Sequence, residues 1–164
     1  MFITEATMDF DVVSADRAQG ASPSRFDFSK QIETLARSVF DSRRSPQQNI
    51  SLKLQVDAVS MSLASSMTCA VIVTELIENS LRHGFPNRWS GEVRIVVETL
   101  LHNDVMIEVT DTGVGLPKDF SIDSASTSGL KVVRKLVHQL GGKLRFKGEQ
   151  GASFVFNFSD AEHA

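Results

Sequence analysis

The stretch V-I-V-T-E-L-I-E-N-S-L-R-H-G, residues 71–84, decides how the rest of the chain is read. Val73, Leu76, Ile77 and Leu81, with Cys69 one turn earlier, recur at helical spacing and form an apolar side. Glu75 and Asn79 stand four residues apart, so they share one face, one turn apart. Arg82 and His83 follow three and four residues after Asn79 and continue that face as a cation. Asn is a poor helix-interior residue because its amide competes with the backbone, so Asn79 needs a reason to be there. Acid, metal-capable amide, then positive charge is a suitable order for holding a Mg²⁺–phosphate group. For Glu78 and Arg82, also four residues apart, a solvated salt bridge is a sufficient account. The helix is read from Met61 to Gly84, with Phe85-Pro86-Asn87 stopping it.

The second informative stretch is D-T-G-V-G, residues 111–115. Gly91–Leu101 and Asp104–Thr110 read as a hairpin around His102-Asn103-Asp104, because Val93, Ile95 and Val97 alternate and so do Val105, Ile107 and Val109. Asp111 falls where the second strand ends. Two glycines after it let a flat ligand approach the backbone, with Asp111 accepting its hydrogen bonds. A lone D-x-G-x-G is a common turn, so this motif carries little weight alone. Residues 117–127, P-K-D-F-S-I-D-S-A-S-T, read as a mobile surface loop. Ser128–Leu140 reads as a helix striped by Leu130, Val133, Leu136, Val137 and Leu140. Its start leaves backbone N–H groups free, a ready anion site. Lys143–Lys147 and Ala152–Phe158 form a last hairpin turned by G-E-Q-G, and the tail S-D-A-E-H-A reads as frayed.

Upstream, Ser29–Phe40 reads as a helix capped by Asp27 or Ser29, and Ile50–Val56 as a half-buried strand. Residues 1–25 read as a flexible lead-in, in which Met8, Phe10 and Val12 alternate with acidic residues as a short strand does. At 164 residues the chain is one domain's length. A net charge of -3 with no basic block gives no argument for nucleic acid or a polybasic membrane patch. No apolar run reaches the roughly 18 residues of a membrane helix, and no secretory signal is visible. The single cysteine, Cys69, cannot form an internal disulfide, which fits a reducing cytoplasm, and its apolar setting favours a buried structural role.

The order helix, strand, long helix, hairpin, loop, helix, hairpin implies a mixed sheet covered on one face by helices. Four segments in that order resemble one superfamily. E-L-I-E-N-S-L-R-H-G resembles the N box of the ATPases that include DNA gyrase B, Hsp90, histidine kinases and the mismatch-repair ATPase. D-T-G-V-G-L-P resembles their first glycine box, S-T-S-G-L-K-V-V their second, and G-A-S-F the segment closing the adenine pocket. Within this GHKL superfamily, R-H-G-F-P and K-L-V-H-Q-L-G-G-K-L are similar to the catalytic and ATP-binding domain of bacterial sensor histidine kinases, in the branch with an E-x-x-x-N N box related to the H-W-E kinases. The resemblance implies an α+β fold, a Bergerat-type α/β sandwich whose mostly antiparallel mixed sheet is covered on one face by helices. It places that domain at residues 26–160.

The resemblance also implies roles. Asn79 would ligate Mg²⁺ and bridge it to the phosphates of ATP. Glu75 would polarise a metal-bound water or act as a base. Arg82 would contact phosphate, and His83 would line the same region or serve as a satisfied helix-end histidine. Asp111 would accept from the exocyclic amine of adenine, favouring ATP over GTP, with Gly113 and Gly115 giving the loop its close approach. Ser128, Gly129 and Leu130 would offer backbone N–H groups to the phosphates, and Ser153 would support the adenine-side network. The 117–127 loop would be the ATP lid. Two departures stand out. Only Gly129 occupies the second box where G-x-G is usual. The four histidines, His83, His102, His138 and His163, include none on a helix upstream of the nucleotide domain.

The expectation is therefore a cytoplasmic ATP-binding kinase domain passing the γ-phosphoryl of Mg-ATP to a histidine elsewhere, on a dimerisation hairpin, ahead of a response regulator. The alternatives are a stand-alone anti-sigma-factor-type serine/threonine kinase acting with a sigma factor and its antagonist, and a non-catalytic phosphotransfer or docking module of the same fold.

Overall fold

The computed structural model describes residues 24–125 and 128–160. The lead-in up to residue 23, with the alternating stretch at Met8, Phe10 and Val12, lies outside the described residues. The elements are β1 (Arg25–Asp27), α1 (Phe28–Arg43), β2 (Asn49–Val56), β3 (Ser60–Ser62), α2 (Leu63–His83), β4 (Ser90–Thr99), β5 (Asp104–Asp111), α3 (Ser128–Gln139), β6 (Lys143–Lys147) and β7 (Ser153–Ser159). A 3₁₀ turn, Leu101–Asn103, joins β4 to β5.

Five strands form one sheet in the order β2-β4-β5-β7-β6. β2 lies parallel to β4, and every other pair is antiparallel. Period-two alternation sends one set of side chains from each strand to the helices. Val93, Ile95 and Val97 of β4, Val105, Ile107 and Val109 of β5, and Phe154, Phe156 and Phe158 of β7 are all buried. They meet Ile32 and Ala36 of α1, Ile72, Val73, Leu76 and Ile77 of α2, and Leu130, Val133 and Val137 of α3 in one core. The three helices thus cover one face, as the resemblance implies. Phe146 registers with Phe154 and Leu144 with Phe156, so the last hairpin pairs in the phase its sequence indicates.

α1 is capped by Asp27, whose carboxylate accepts from the Ser29 N–H at 3.1 Å and the Ser29 hydroxyl at 2.6 Å. The Ser29 hydroxyl above all, aided by backbone N–H groups, holds the Asp27 carboxyl below its ordinary value. Cys69 is fully buried, and burial pushes its thiol well above the usual range, so it packs as a small apolar group.

Three readings of the sequence are corrected. Met61 is not helical: it sits in β3, which pairs with β1 in a separate two-stranded sheet, and the long helix begins at Leu63 with Ser62 as its cap. Glu78 does not pair with Arg82; it bonds the Arg43 side chain of α1 at 2.9 Å, because the packed neighbour offers a fixed partner. The tail is not frayed through Asp160. That carboxylate is buried and accepts from the Ser62 N–H at 2.9 Å and its hydroxyl at 3.1 Å, and it pairs with Arg25 at 3.1 Å.

Asp160 therefore ties the start of the described chain, the start of α2 and the end of β7 together. We expect Asp160→Ala to lower unfolding free energy by about 1–3 kcal/mol, since it strips a buried acceptor from two donors and frees Arg25. Urea titration reads this directly, and a change within about 0.5 kcal/mol shows that the staple contributes nothing.

Candidate functional site

Asp111 is where the sheet departs from its own pattern. Val105, Ile107 and Val109 point into the core, and the next residue in that phase is a carboxylate that is 2% exposed. Its Oδ1 accepts from the Gly113 N–H at 2.9 Å and the Ala152 N–H at 3.1 Å. Among the described residues no hydrogen bond reaches Oδ2. One oxygen is thus consumed by the fold and the other is left as an acceptor at the end of a strand.

The glycines around it hold backbones at contact. A Cβ on Gly113 would lie 2.1 Å from the Gly84 carbonyl oxygen, and one on Gly84 would lie 3.3 Å from the Asp111 carboxyl. The Val114 N–H bonds that same Gly84 carbonyl at 2.8 Å, so the loop is stitched to the end of α2. Gly115 takes φ +81°, a conformation costly for other residues, and a Cβ there would meet the Gly148 carbonyl at 2.1 Å. Leu116 N–H bonds that carbonyl at 3.1 Å. The D-T-G-V-G loop is therefore wedged between the end of α2 and the β6–β7 turn.

Glu75 and Asn79 are part-buried on the same face of α2. The Glu75 carboxylate lies against the first turn of α3: a Cβ on Gly129 would sit 2.4 Å from its Oε2. The first and last landmarks, Glu75 and Gly84, are nine residues apart, about 13 Å along the helix. The site is thus an elongated slot, with Asp111 and the glycine loop at one end and Glu75 and the start of α3 at the other.

Ser128, Gly129 and Leu130 form the first turn of α3, where backbone N–H groups have no partner within the helix. Ser128 is exposed, while the Leu130 side chain is buried in the core, so only its backbone is available. Arg82 and His83 are exposed on the last turn of α2, between the two ends. Ser153 does not join the slot. It registers with Thr110, one residue out of phase with Asp111, so its hydroxyl lies on the opposite face of the sheet. There it donates to Glu108 at 2.9 Å and lies 3.3 Å from the Thr110 hydroxyl. Ala152 stands beside Asp111 instead, contributing its backbone N–H. The G-A-S-F segment reaches Asp111, but the strand's alternation brings the residue before Ser153 to it. Gly84 and Gly148 were legible only as a helix end and a turn.

The 117–125 part of the loop is anchored rather than free. Ile122 is buried, Phe120 packs edge-on against Phe146 with ring centres 5.2 Å apart, and Asp123 pairs with Arg134 of α3. Residues 126–127 lie outside the described residues.

The contact between Glu75 and Gly129 is testable. We expect Gly129→Ala to push the Glu75 carboxylate aside, so that the helix-propensity gain of the change is smaller than in a Glu75→Ala background, where no carboxylate has to move. A double-mutant cycle by urea unfolding that is additive within about 0.3 kcal/mol denies the contact.

The family model described as histidine kinase-, DNA gyrase B-, and HSP90-like ATPase matches residues 65–162, more than half of the chain. The chain is 30% identical over 95 residues to Blue-light-activated histidine kinase 2 of Erythrobacter litoralis, covering 58% of this chain and 28% of that protein. It is 36% identical over 90 residues to the sensor histidine kinase PdtaS of Mycobacterium tuberculosis, covering 52% of this chain and 18% of that protein. The chain thus spans less than a third of either relative. The histidine kinase domain of the E. litoralis EL346 blue-light activated histidine kinase superposes with a TM-score of 0.76 at 23% identity, over 86% of this chain and 66% of that one. The catalytic domain of histidine kinase ThkA superposes with a TM-score of 0.66 at 17% identity, over 85% and 97%. These likenesses match the α+β architecture, and the matched segment holds both ends of the slot: the chain belongs to the histidine kinase-, DNA gyrase B- and HSP90-like ATPase family.

Proposed function

We propose that this chain is the ATP-binding catalytic domain of a two-component histidine kinase, passing the γ-phosphoryl of Mg-ATP to a histidine outside residues 26–160. The observation that carries the proposal is the split use of Asp111: Oδ1 locks the loop, and Oδ2 is left to accept from the exocyclic amine of adenine. Guanine presents a carbonyl there and would place two acceptors face to face, so the site favours ATP. The first turn of α3 presents N–H groups and the positive end of a helix dipole to the phosphates. Arg82 and His83 supply charge or donors along the same path.

Mg²⁺ suits the donors present. Among the described residues no group of three or more His, Cys, Asp or Glu is placed to hold a metal. A hard cation held by one or two protein oxygens, with phosphates and water completing its shell, fits that sparse set. Asn79 would ligate it, and Glu75 would orient a water or accept a proton beside it. When bound, the ion neutralises charge developing on the transferred phosphoryl group. The 117–127 loop would cover the nucleotide and exclude water, which matters for a kinase because hydrolysis competes with transfer.

The sensor-kinase relatives support a histidine acceptor over the serine/threonine alternative. The acceptor hairpin and a response regulator are the proposed partners in a phosphorelay. Among the described residues no helix is long and apolar enough to cross a membrane. A cytoplasmic location is proposed from the reduced single cysteine and the need for ATP.

Calorimetric titration with ATP and GTP, with and without Mg²⁺, tests the pocket. We expect Mg²⁺-dependent binding of ATP in preference to GTP; no binding of either overturns the reading. Asp111→Asn should weaken ATP binding by about 1–3 kcal/mol, and an unchanged affinity removes Asp111 from the adenine site. Asn79→Ala should abolish the Mg²⁺ dependence, and a variant that keeps it sinks the metal assignment. Labelling of a supplied dimerisation hairpin should give acid-labile phosphohistidine. Acid-stable label on a small antagonist protein points to the serine/threonine kinase instead.

A further inference from the structure

The D-x-G-x-G pattern leaves residue 112 unspecified, and the structure gives Thr112 a task. β4 and β5 pair antiparallel with Val93 opposite Asp111, so the next pair along, just past the end of β5, is Glu92 and Thr112. In a hydrogen-bonded antiparallel pair each N–H donates to the other residue's carbonyl. Here half of that exchange is made. The Thr112 N–H donates to the Glu92 carbonyl at 3.0 Å, but the Glu92 N–H donates to the Thr112 hydroxyl at 2.9 Å. The side chain has replaced its own carbonyl in the ladder, and Thr hydroxyls compete with backbone groups in this way.

The Thr112 carbonyl is thereby released from the ladder, and the Arg88 guanidinium donates to it at 3.3 Å. The backbone of Arg88 is fixed in turn. Its carbonyl and that of Phe85 accept from the Gln48 side-chain amide at 2.7 and 3.0 Å, and the Asn49 N–H holds the Trp89 carbonyl at 2.6 Å. Phe85 is buried, and a Cβ on Gly91 would strike its ring, so the segment between α2 and β4 is wrapped closely around that ring. One tightly held segment thus engages the N–H, the hydroxyl and the carbonyl of Thr112.

Thr112 stands between the residues whose bond orients the site carboxylate. The Gly113 N–H reaches Oδ1 of Asp111 at 2.9 Å because the chain turns at residue 112. A chain that stayed in the ladder would advance about 3.3 Å per residue and carry that N–H away. Given Asp111 as the acceptor for the exocyclic amine of adenine, the reading proposed above, we infer that Thr112 is a positioning residue for the nucleotide base. Its hydroxyl takes the ladder bond, the backbone turns, and Oδ2 of Asp111 is aimed at the ligand. Valine has the same branched shape without the hydroxyl. In Thr112→Val the carbonyl of residue 112 competes for the Glu92 N–H and draws the loop back toward the sheet. Serine keeps the oxygen.

Calorimetric titration in Mg²⁺ with ATP and with purine riboside triphosphate, which lacks the exocyclic amine, tests this. Wild type should bind ATP more tightly than the amine-free probe. Thr112→Val should weaken ATP binding roughly fivefold and leave the amine-free probe within about twofold, and Thr112→Ser should keep wild-type affinity for both. A role in folding alone would weaken both probes together. That result, an unchanged ATP affinity in Thr112→Val, or no rescue by serine overturns the inference and leaves the assignment of Asp111 standing. Wild type that binds both probes equally, or neither, overturns the adenine reading itself and the role of Thr112 with it.

Discussion

A carboxylate buried at the end of a central strand must find donors, and Asp111 finds two backbone N–H groups with one oxygen. The rest of the site depends on that bond pair. The Gly113 N–H fixes the glycine loop, and the Ala152 N–H fixes the segment after the β6–β7 turn. Gly84 lies close enough that the end of α2 joins the same cluster. Three segments distant in sequence are thus set around one oxygen, and the second oxygen inherits a fixed position with no partner among the described residues. A ligand meeting it pays little reorganisation, which is what preorganisation means at a binding site.

From that anchor the long helix acts as the ruler of the site. Its apolar side is sunk in the core, so its polar face cannot rotate or slide. Glu75 and Asn79 are thereby held at fixed heights above Asp111, and Glu75 meets α3 where Gly129 makes room. The 117–125 loop is tethered at a few points, by Ile122, Phe120 and Asp123.

The other end of α2 is secured by a different buried carboxylate. Asp160 caps the Ser62 turn and pairs with Arg25, so the first described residues and the last ones close over the same helix. Asp111 and Asp160 bracket the layer: one holds the site end of the fold, the other the end where the chain enters. Both rely on backbone or fixed donors rather than on mobile surface ions, which is why each is worth more than an exposed pair such as Arg44–Asp41.

The sequence by itself determined the elements and which side chains face inward. Apolar spacing of 3.6 and 2 marks α2, α3, β4, β5 and β7, and it also places Asp111 in the core phase, because alternation is a local property. Glu75 and Asn79 on one face follow from helix geometry alone. Only tertiary structure decided which distant segments meet. The parallel pairing of β2 with β4, the partner of Glu78, the burial of Asp160 and the capture of Met61 by pairing with β1 all depend on neighbours remote in the chain. Ser153 shows the limit most sharply. Its motif located the segment, but one step of register sends its hydroxyl to the outer face and gives Asp111 the Ala152 amide instead. Register is set by pairing across the sheet, and a motif read along one strand does not contain it.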